Sequence, residues 1–150
     1  MRDAQTELRI KYIALLTGIQ IDSVNVPIYS DEVNDTVAPY TRQSPPPVYI
    51  ILSNQTSTDE SVKCHFAGRY SMQVDSYTTY PAYNGSFLKS EILNNIVKQR
   101  ILTTTSGNFP LTTFVCTRSR IDLTRNLSEK TKEQNIYRTI TIFNHSIQEI

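Results

Sequence analysis

The stretch that most constrains this chain is a run of three prolines followed by a long extended segment. Pro45, Pro46 and Pro47 lead into the five apolar residues Val48–Leu52, and Ser53–Glu60 is then polar but rich in Thr and Ser. Proline fixes its own φ and disfavours helix for the residue before it. An unbroken apolar run suits a strand covered on both faces. The sequence therefore predicts a long strand that crosses the core and then runs past its edge.

Further segments also have strand patterns. Apolar and polar residues alternate through Cys64–Tyr77 around Met72, and again through Phe114–Leu123 and Tyr137–Ile147. A period of two is typical of strands with one buried face. Pro27 lies within a shorter apolar stretch and favours an edge strand there, because proline cannot donate to a ladder. These patterns together predict a sheet of four or five strands.

Two other segments carry apolar residues at helical spacing. The first ends at Gly18, and the second begins after Ser86, a residue type that caps helix N-termini well. The apolar faces consist of Leu8, Tyr12, Leu15, Leu16 and Ile19 in the first segment and of Phe87, Leu88, Ile92, Leu93, Ile96, Val97 and Ile101 in the second. A helix with one apolar stripe packs on a sheet or another helix. The element order predicts an α+β fold, with a mainly antiparallel sheet and both helices on one face.

Chain length and polar stretches indicate the domain organisation. With 150 residues the chain is long enough for one hydrophobic core, so residues 1–150 are expected to form a single domain. Residues 31–47 hold four prolines and no helical period, and residues 124–135 alternate in charge without an apolar face. Both segments are predicted to be extended loops, and the second is expected to be too long for a tight hairpin.

Charge and targeting signals exclude several classes of protein. A formal net charge of +1 gives no indication of nucleic-acid binding. The N-terminus has no apolar signal core, and the chain has no run of about 18 apolar residues, so we expect the protein to stay in the compartment where it is made. In a reducing cytoplasm, Cys64 and Cys116 are expected to be free thiols.

Reactive side chains are few and lack the spacings that chemistry requires. The four glycines are isolated, which argues against a phosphate-binding loop. Cys64, His65, Cys116 and His145 lack metal-site spacing. Cys116 and His145 would form a nucleophile pair only if the last two strands pair, and the simpler interpretation is a buried thiol and a surface histidine. The sequence therefore predicts no catalytic residue, no cofactor and no metal, and a protein that is not an enzyme.

Three tyrosines lie close together around Pro81. Tyr77, Tyr80 and Tyr83 are predicted to form a tyrosine-rich turn. Such a cluster could stack on nucleic-acid bases, but few basic residues accompany it. An amphipathic aromatic cluster fits a protein interface at least as well.

The order of these segments resembles that of a known family. The segments are "YIALLTG" (12–18), "VPIYSDEV" (26–33), "PPPVYIILSNQTSTD" (45–59), "GRYSMQVDSY" (68–77) and "SFLKSEILNNIVKQRI" (86–101), followed by two closing strands. Over roughly residues 5–147 this pattern is similar to the tail-terminator and tail-completion (head–tail joining) proteins of tailed bacteriophages.

The resemblance implies a structural virion protein, made in the host cytoplasm, that forms an oligomeric ring at the head–tail junction or tail end. Its implied partners are its own copies and the neighbouring connector or portal-side and tail-tube proteins. DNA would pass through the lumen without sequence-specific binding, and no membrane is involved. The long segments 31–47 and 124–135 depart from the family pattern and leave ring size and position open. The alternative function is a small monomeric or dimeric phage-encoded protein-binding module.

The extensions beyond the core supply the interface candidates. Charged and aromatic residues there could contact ring neighbours or a partner, although each could equally be a solvated surface residue. The candidates are Tyr40, Asp59, Glu60, Arg125, Glu129, Lys130, Lys132 and Glu133.

Overall fold

The computed structural model describes residues 3–30, 46–64, 66–81, 85–102 and 109–149. These residues form two helices and seven strands. The helices are α1 (Gln5–Leu16) and α2 (Leu88–Leu102), and the strands are β1 (Gln20–Ile21), β2 (Val24–Asn25), β3 (Ile28–Ser30), β4 (Val48–Asp59), β5 (Ala67–Pro81), β6 (Phe114–Lys130) and β7 (Gln134–Glu149). The prediction of an α+β protein with two helices is confirmed.

The main sheet has five strands in the order β3-β4-β5-β7-β6, and β1 and β2 form a separate small hairpin. The pairs β4–β5, β5–β7 and β7–β6 are antiparallel, but β3 runs parallel to β4. The sheet is therefore mixed, and the predicted antiparallel arrangement holds only in part. A parallel pair needs a crossover of a dozen or more residues, which the stretch between Ser30 and Val48 is long enough to supply.

Both helices pack on the same face of the sheet. From α2, the side chains of Ser90 and Asn94 hydrogen-bond Thr139 and Thr141 of β7. From α1, the Gln5 side chain reaches β4. The main core lies between these layers and includes Leu8, Leu16, Ile50, Leu52, Met72, Val74, Leu93, Val97 and Phe143.

The strand that follows the prolines has the two halves that the sequence predicts. Residues Tyr49–Leu52 are buried, whereas the strand from Ser53 onward is partly or fully exposed. Ile50 and Leu52 join the core under the helices, while Tyr49 and Ile51 form a second cluster with Tyr29. Successive side chains of a strand point to opposite faces of the sheet. A strand that is buried on both faces therefore needs an unbroken run of apolar residues.

The predicted loop at 124–135 is wrong for most of its length. Strand β6 continues to Lys130, which pairs with Asn135 of β7, so a short turn joins the two strands. The Thr131 N–H donates to the Gln134 carbonyl at 2.9 Å, and the Gln134 N–H donates to Thr131 Oγ1 at 3.1 Å. The charges alternate because this half of β6 is exposed on both faces and is held by backbone pairing rather than by an apolar face.

The other extended segment lies largely beyond the described residues. Residues 31–45 belong to the part that the structure does not describe, so the predicted loop at 31–47 stays a prediction. The predicted tyrosine-rich turn is also partly wrong, because β5 continues through Tyr77 and Tyr80 to Pro81. Apolar and polar residues alternate in β5 only as far as Val74, so the sequence did not signal that the strand continues to Pro81.

Candidate interaction surfaces

Cys116 and His145 come together as strand pairing requires, but inside the protein. The Cys116 Sγ lies 3.9 Å from His145 Nδ1, and both residues are buried. His145 Nδ1 is also 2.7 Å from Ser119 Oγ, and Nε2 hydrogen-bonds the Tyr12 hydroxyl. Burial lowers the pKa of His145 to about 4, so the ring is neutral at pH 7. The expectation of a surface histidine is wrong, and the cluster is a buried polar connection between α1, β6 and β7.

The remaining reactive groups form no chemical centre in the part of the chain that is described. Cys64 is a free, exposed thiol, and His65 lies outside the described residues. Within the described ranges, no group of three or more His, Cys, Asp or Glu residues could hold a metal ion. Neither described helix has the length and apolar character needed to cross a bilayer.

Two of the predicted interface residues make local contacts at the end of β4. The Asp59 carboxylate accepts the Ser61 N–H at 2.8 Å. Hydrogen bonds from the side chain and the backbone of Ser61 lower the pKa of Asp59. Glu60 forms an ion pair with Arg69 at 2.7 Å, on partly exposed side chains. These contacts close the turn between β4 and β5, while Tyr40 lies outside the described residues.

The other candidates cluster at the opposite end of the sheet. Arg125, Glu129 and Lys130 are exposed on β6, and Lys132 and Glu133 are exposed in the turn before β7. On β6, Glu129 pairs with Ile136 of β7, whereas Asp59 at the end of β4 lies level with Ile147 of β7, through Gly68 of β5. Eleven residues of strand separate these two levels, or roughly 36 Å. The structure therefore brings the hairpin residues together but keeps Asp59 and Glu60 apart from them.

The sheet face opposite the helices, called here the open face, carries an aromatic and charged cluster. The rings of Tyr49 and Tyr77 stack with centroids 4.9 Å apart. Arg138 donates to the Tyr77 hydroxyl at 3.0 Å and lies 4.0 Å from the Asp75 carboxylate. Burial raises the pKa of Asp75, although Gln73 and Arg138 oppose this effect. The sequence signalled Tyr77 as an interface residue but gave no sign of its Arg138 partner.

In the part of the chain that the structure describes, the sheet ends in two open strand edges. On one side β6 pairs with β7 and with no other strand of the described ranges. On the other side, within the described residues, β3 covers Ile50–Leu52 of β4, and Gln55–Asp59 pairs with β5 but with no further strand. Unpaired N–H and C=O groups of such edges can bind another strand. The two edges belong to opposite sides of one sheet and differ in sequence.

A groove runs between α1 and the open edge of β4. It has a volume of about 430 Å³ and is lined by Gln5, Thr6, Arg9, Ile10, Ile13, Ser53, Asn54 and Gln55. Ile10 is 59% exposed and Ile13 is 39% exposed. On the opposite edge, Ile121 is 37% exposed and Leu123 is 44% exposed. This groove was not predicted from the sequence, although Ile10 and Ile13 lie off the apolar stripe of α1 and could have signalled it.

Comparison with known proteins gives a match at the level of the fold. No protein-family model and no curated protein sequence matches the chain. Among solved structures, it is similar to a chain in the "Virion of native gene transfer agent (GTA) particle", with a TM-score of 0.63 and 11% sequence identity. The match covers 96% of this chain and 93% of that chain. The two chains therefore share a fold over almost their whole lengths.

Proposed function

We propose that this chain is a structural protein of a phage-like virion and that it forms a ring at the head–tail junction or tail end. The observation that carries the proposal is the fold shared, over 96% of the chain, with a component of a gene transfer agent virion. The segment order similar to phage tail-terminator and tail-completion proteins supports the same role. The proposed partners are other copies of this chain and the neighbouring connector and tail-tube proteins, with DNA passing through the lumen.

The shape of the sheet supports a head-to-tail assembly. A closed ring requires two different surfaces on each subunit, because each copy contacts one neighbour with one surface and the next neighbour with the other. The β6 edge and the β4 edge are two such surfaces on opposite sides of one sheet. The proposed function needs no reaction, and the buried Cys116–His145 cluster has no exposed face at which a substrate would bind.

The hairpin residues are the proposed contacts to neighbours. Arg125, Glu129, Lys130, Lys132 and Glu133 are exposed and close in sequence, so they are available to a ring neighbour or an adjoining virion protein. Asp59, Glu60 and Tyr40 are proposed for a separate contact, since Asp59 and Glu60 lie at the other end of the sheet. Individual exposed ion pairs contribute at most about 1 kcal/mol, so any such interface depends on several of them together.

This function can be tested by deleting the gene for this chain from the phage-like genome that carries it. The expected result is filled heads and tails that do not join, or tails of uncontrolled length, with the defect restored by the wild-type gene. Immunogold labelling of complete particles should place the protein at the head–tail junction or tail end. Normal particles that form without the protein, and that lack it when it is expressed, would refute the proposal. A partner outside the virion would then favour the monomeric or dimeric binding module.

A further inference from the structure

We propose that β6 of one subunit packs against the α1–β4 groove of a second copy of this chain. In this contact Ile121 packs on Ile10 and Ile13 of the neighbour, and Asp122 faces the neighbour's Arg9. The inference rests on the proposed ring function and names the contact by which one subunit would bind the next.

Strand direction makes the two edges compatible. Each of the pairs β4–β5, β5–β7 and β7–β6 is antiparallel, so β6 runs opposite to β4 within one subunit. A neighbour related by rotation about a ring axis keeps these directions when the strands run along that axis, which is the orientation proposed here. Its β4 edge would therefore meet β6 in the antiparallel sense, which is the more stable pairing per residue.

The register places the key residues at one level of the sheet. Ile121 pairs with Phe143, Phe143 with Met72, and Met72 with Gln55. Paired residues point to the same face, and Phe143 and Met72 belong to the core under the helices. Ile121 and Gln55 therefore lie in one row on the helix side. A neighbour displaced sideways along this row sets its Gln55, which lines the groove, beside Ile121.

The apolar surfaces on the two edges are complementary. Ile10 and Ile13 form the α1 wall of the groove, and both are substantially exposed in the single chain. Ile121 is 37% exposed on the helix side of the opposite edge. Burying these side chains against each other would remove apolar surface from water on both subunits. An exposed apolar surface at each of two matching edges is what a head-to-tail contact requires.

One acidic residue of β6 lies where it could meet the charged residue of the groove. Of the described residues that line the groove, only Arg9 is charged, and its Nε lies 3.4 Å from the Gln55 side-chain oxygen. Strand β6 is basic overall, but it holds the acids Asp122 and Glu129, and Asp122 directly follows Ile121. If Ile121 lies beside the neighbour's Gln55, Asp122 comes close to the neighbour's Arg9. The contact would thus join an apolar pairing to an ion pair.

The bulge in β6 fits this role. The ladder between β6 and β7 is irregular between Ile121 and Leu123, which leaves Asp122 without a direct partner on β7. Bulges re-aim side chains and also prevent indiscriminate pairing of an open edge. The bulge at Asp122 would thus limit pairing of the β6 edge with other strands and leave Asp122 available to the neighbour's Arg9.

A charge exchange tests the contact. Sedimentation velocity of the full chain would measure association for Arg9→Glu, Asp122→Arg and the double variant, with Lys63→Glu as an exposed control outside the groove. Each single reversal should raise the dissociation constant by about tenfold or more, because like charges then face each other. The double variant should return to within about threefold of wild type. Single variants that associate like the control, or a double variant as weak as the two losses combined, would overturn the contact.

Disulfide trapping gives a second test that does not depend on Arg9, whose guanidinium also binds Ser30 within the chain. In a Cys64→Ser background, Ile13→Cys and Ile121→Cys lie at opposite sides of the sheet. Ile13 lines the groove beside Ser53 and Asn54 of β4. Three strand spacings, about 14 Å, separate β4 from β6, so these two cysteines are too far apart for a disulfide within one chain. Oxidation should yield a ladder of linked subunits, and neither single cysteine variant should do so. If the protein forms multimers but no disulfide-linked ladder, the proposed contact is wrong, while the ring function is not affected. Normal particles from the gene deletion would instead refute the ring function.

Discussion

The Tyr12 hydroxyl on α1 hydrogen-bonds Nε2 of His145 on β7, and the two residues lie 133 positions apart in the chain. Both side chains are buried, and the other ring nitrogen of His145 contacts Ser119 of β6. One histidine therefore fixes α1 to two strands of the sheet. Since α1 forms a wall of the groove beside β4, this buried contact also positions the proposed docking surface.

Removing the Tyr12 hydroxyl should destabilise the fold. Tyr12→Phe keeps the ring, which packs on Phe109 and Phe143, but leaves Nε2 of His145 buried without this partner. We expect the free energy of unfolding to fall by about 1–3 kcal/mol, measured by urea denaturation at pH 7. Tyr80→Phe, on a half-buried ring, should cost less than about 0.5 kcal/mol. Equal effects in the two variants would contradict the assigned role of the hydroxyl.

Stability should fall as the pH is lowered through the titration range of His145. Its pKa is about 4 in the folded protein, because of burial, and 6.5 when unperturbed. Between these values the unfolded chain binds a proton that the folded chain does not, so the free energy of unfolding decreases from about pH 6.5 to 4. The full loss is on the order of 3 kcal/mol.

The test is a comparison of stability profiles between pH 7 and pH 4. His145→Gln, which carries no titrating group, should show a flatter profile than wild type over this range, whatever its stability at pH 7. Carboxylates such as Glu7 contribute to both profiles and cancel in the difference. Parallel profiles would show that His145 is not the buried neutral group described here.

Glu7 should hold the segment before β6 against α1. Its carboxylate accepts the Thr113 N–H at 3.0 Å and the Thr112 hydroxyl at 2.8 Å. Burial tends to raise the pKa of Glu7, but the hydrogen bonds from Thr112 and Thr113 outweigh it and keep the pKa below its usual value. Glu7→Gln should lower the free energy of unfolding by about 1 kcal/mol at pH 7. This difference should shrink as the pH falls through the lowered pKa of Glu7, because the wild-type carboxyl is then protonated too.

The exposed charges of the β6–β7 hairpin should matter for assembly more than for folding. Replacing Arg125, Glu129, Lys130, Lys132 and Glu133 with Ser should weaken association while changing the free energy of unfolding by less than about 1 kcal/mol. The replacement removes three positive and two negative charges, so Lys63→Ser gives a control with the same net change. A parallel loss of assembly and stability would contradict the interface assignment.

The helices and strands that could be predicted from the sequence are those that bury apolar side chains on one face or on both faces. The buried and exposed halves of β4, the alternation of β5 and both helices have such patterns. The distal half of β6 has none, because both of its faces are exposed, and its polar residues therefore looked like a loop. The parallel pairing of β3 depends on the path of the chain between Ser30 and Val48, which no local pattern specifies.

The interaction surfaces were harder to predict for a related reason. The groove combines α1 with an edge of β4 more than 35 residues away in the chain, so only the packing of the two creates it. His145 looked like a surface residue because its burial depends on Tyr12 and Ser119, which strand pairing and helix packing bring to it. The hairpin charges were recognised as candidates, but their place on a strand was not.

The proposed assembly of this chain into a ring can be tested first by light scattering on the purified protein across a concentration series. We expect multimers of the 17.2 kDa subunit whose population rises with concentration and which appear as rings in negative stain. A strict 17.2 kDa monomer at every concentration would contradict it.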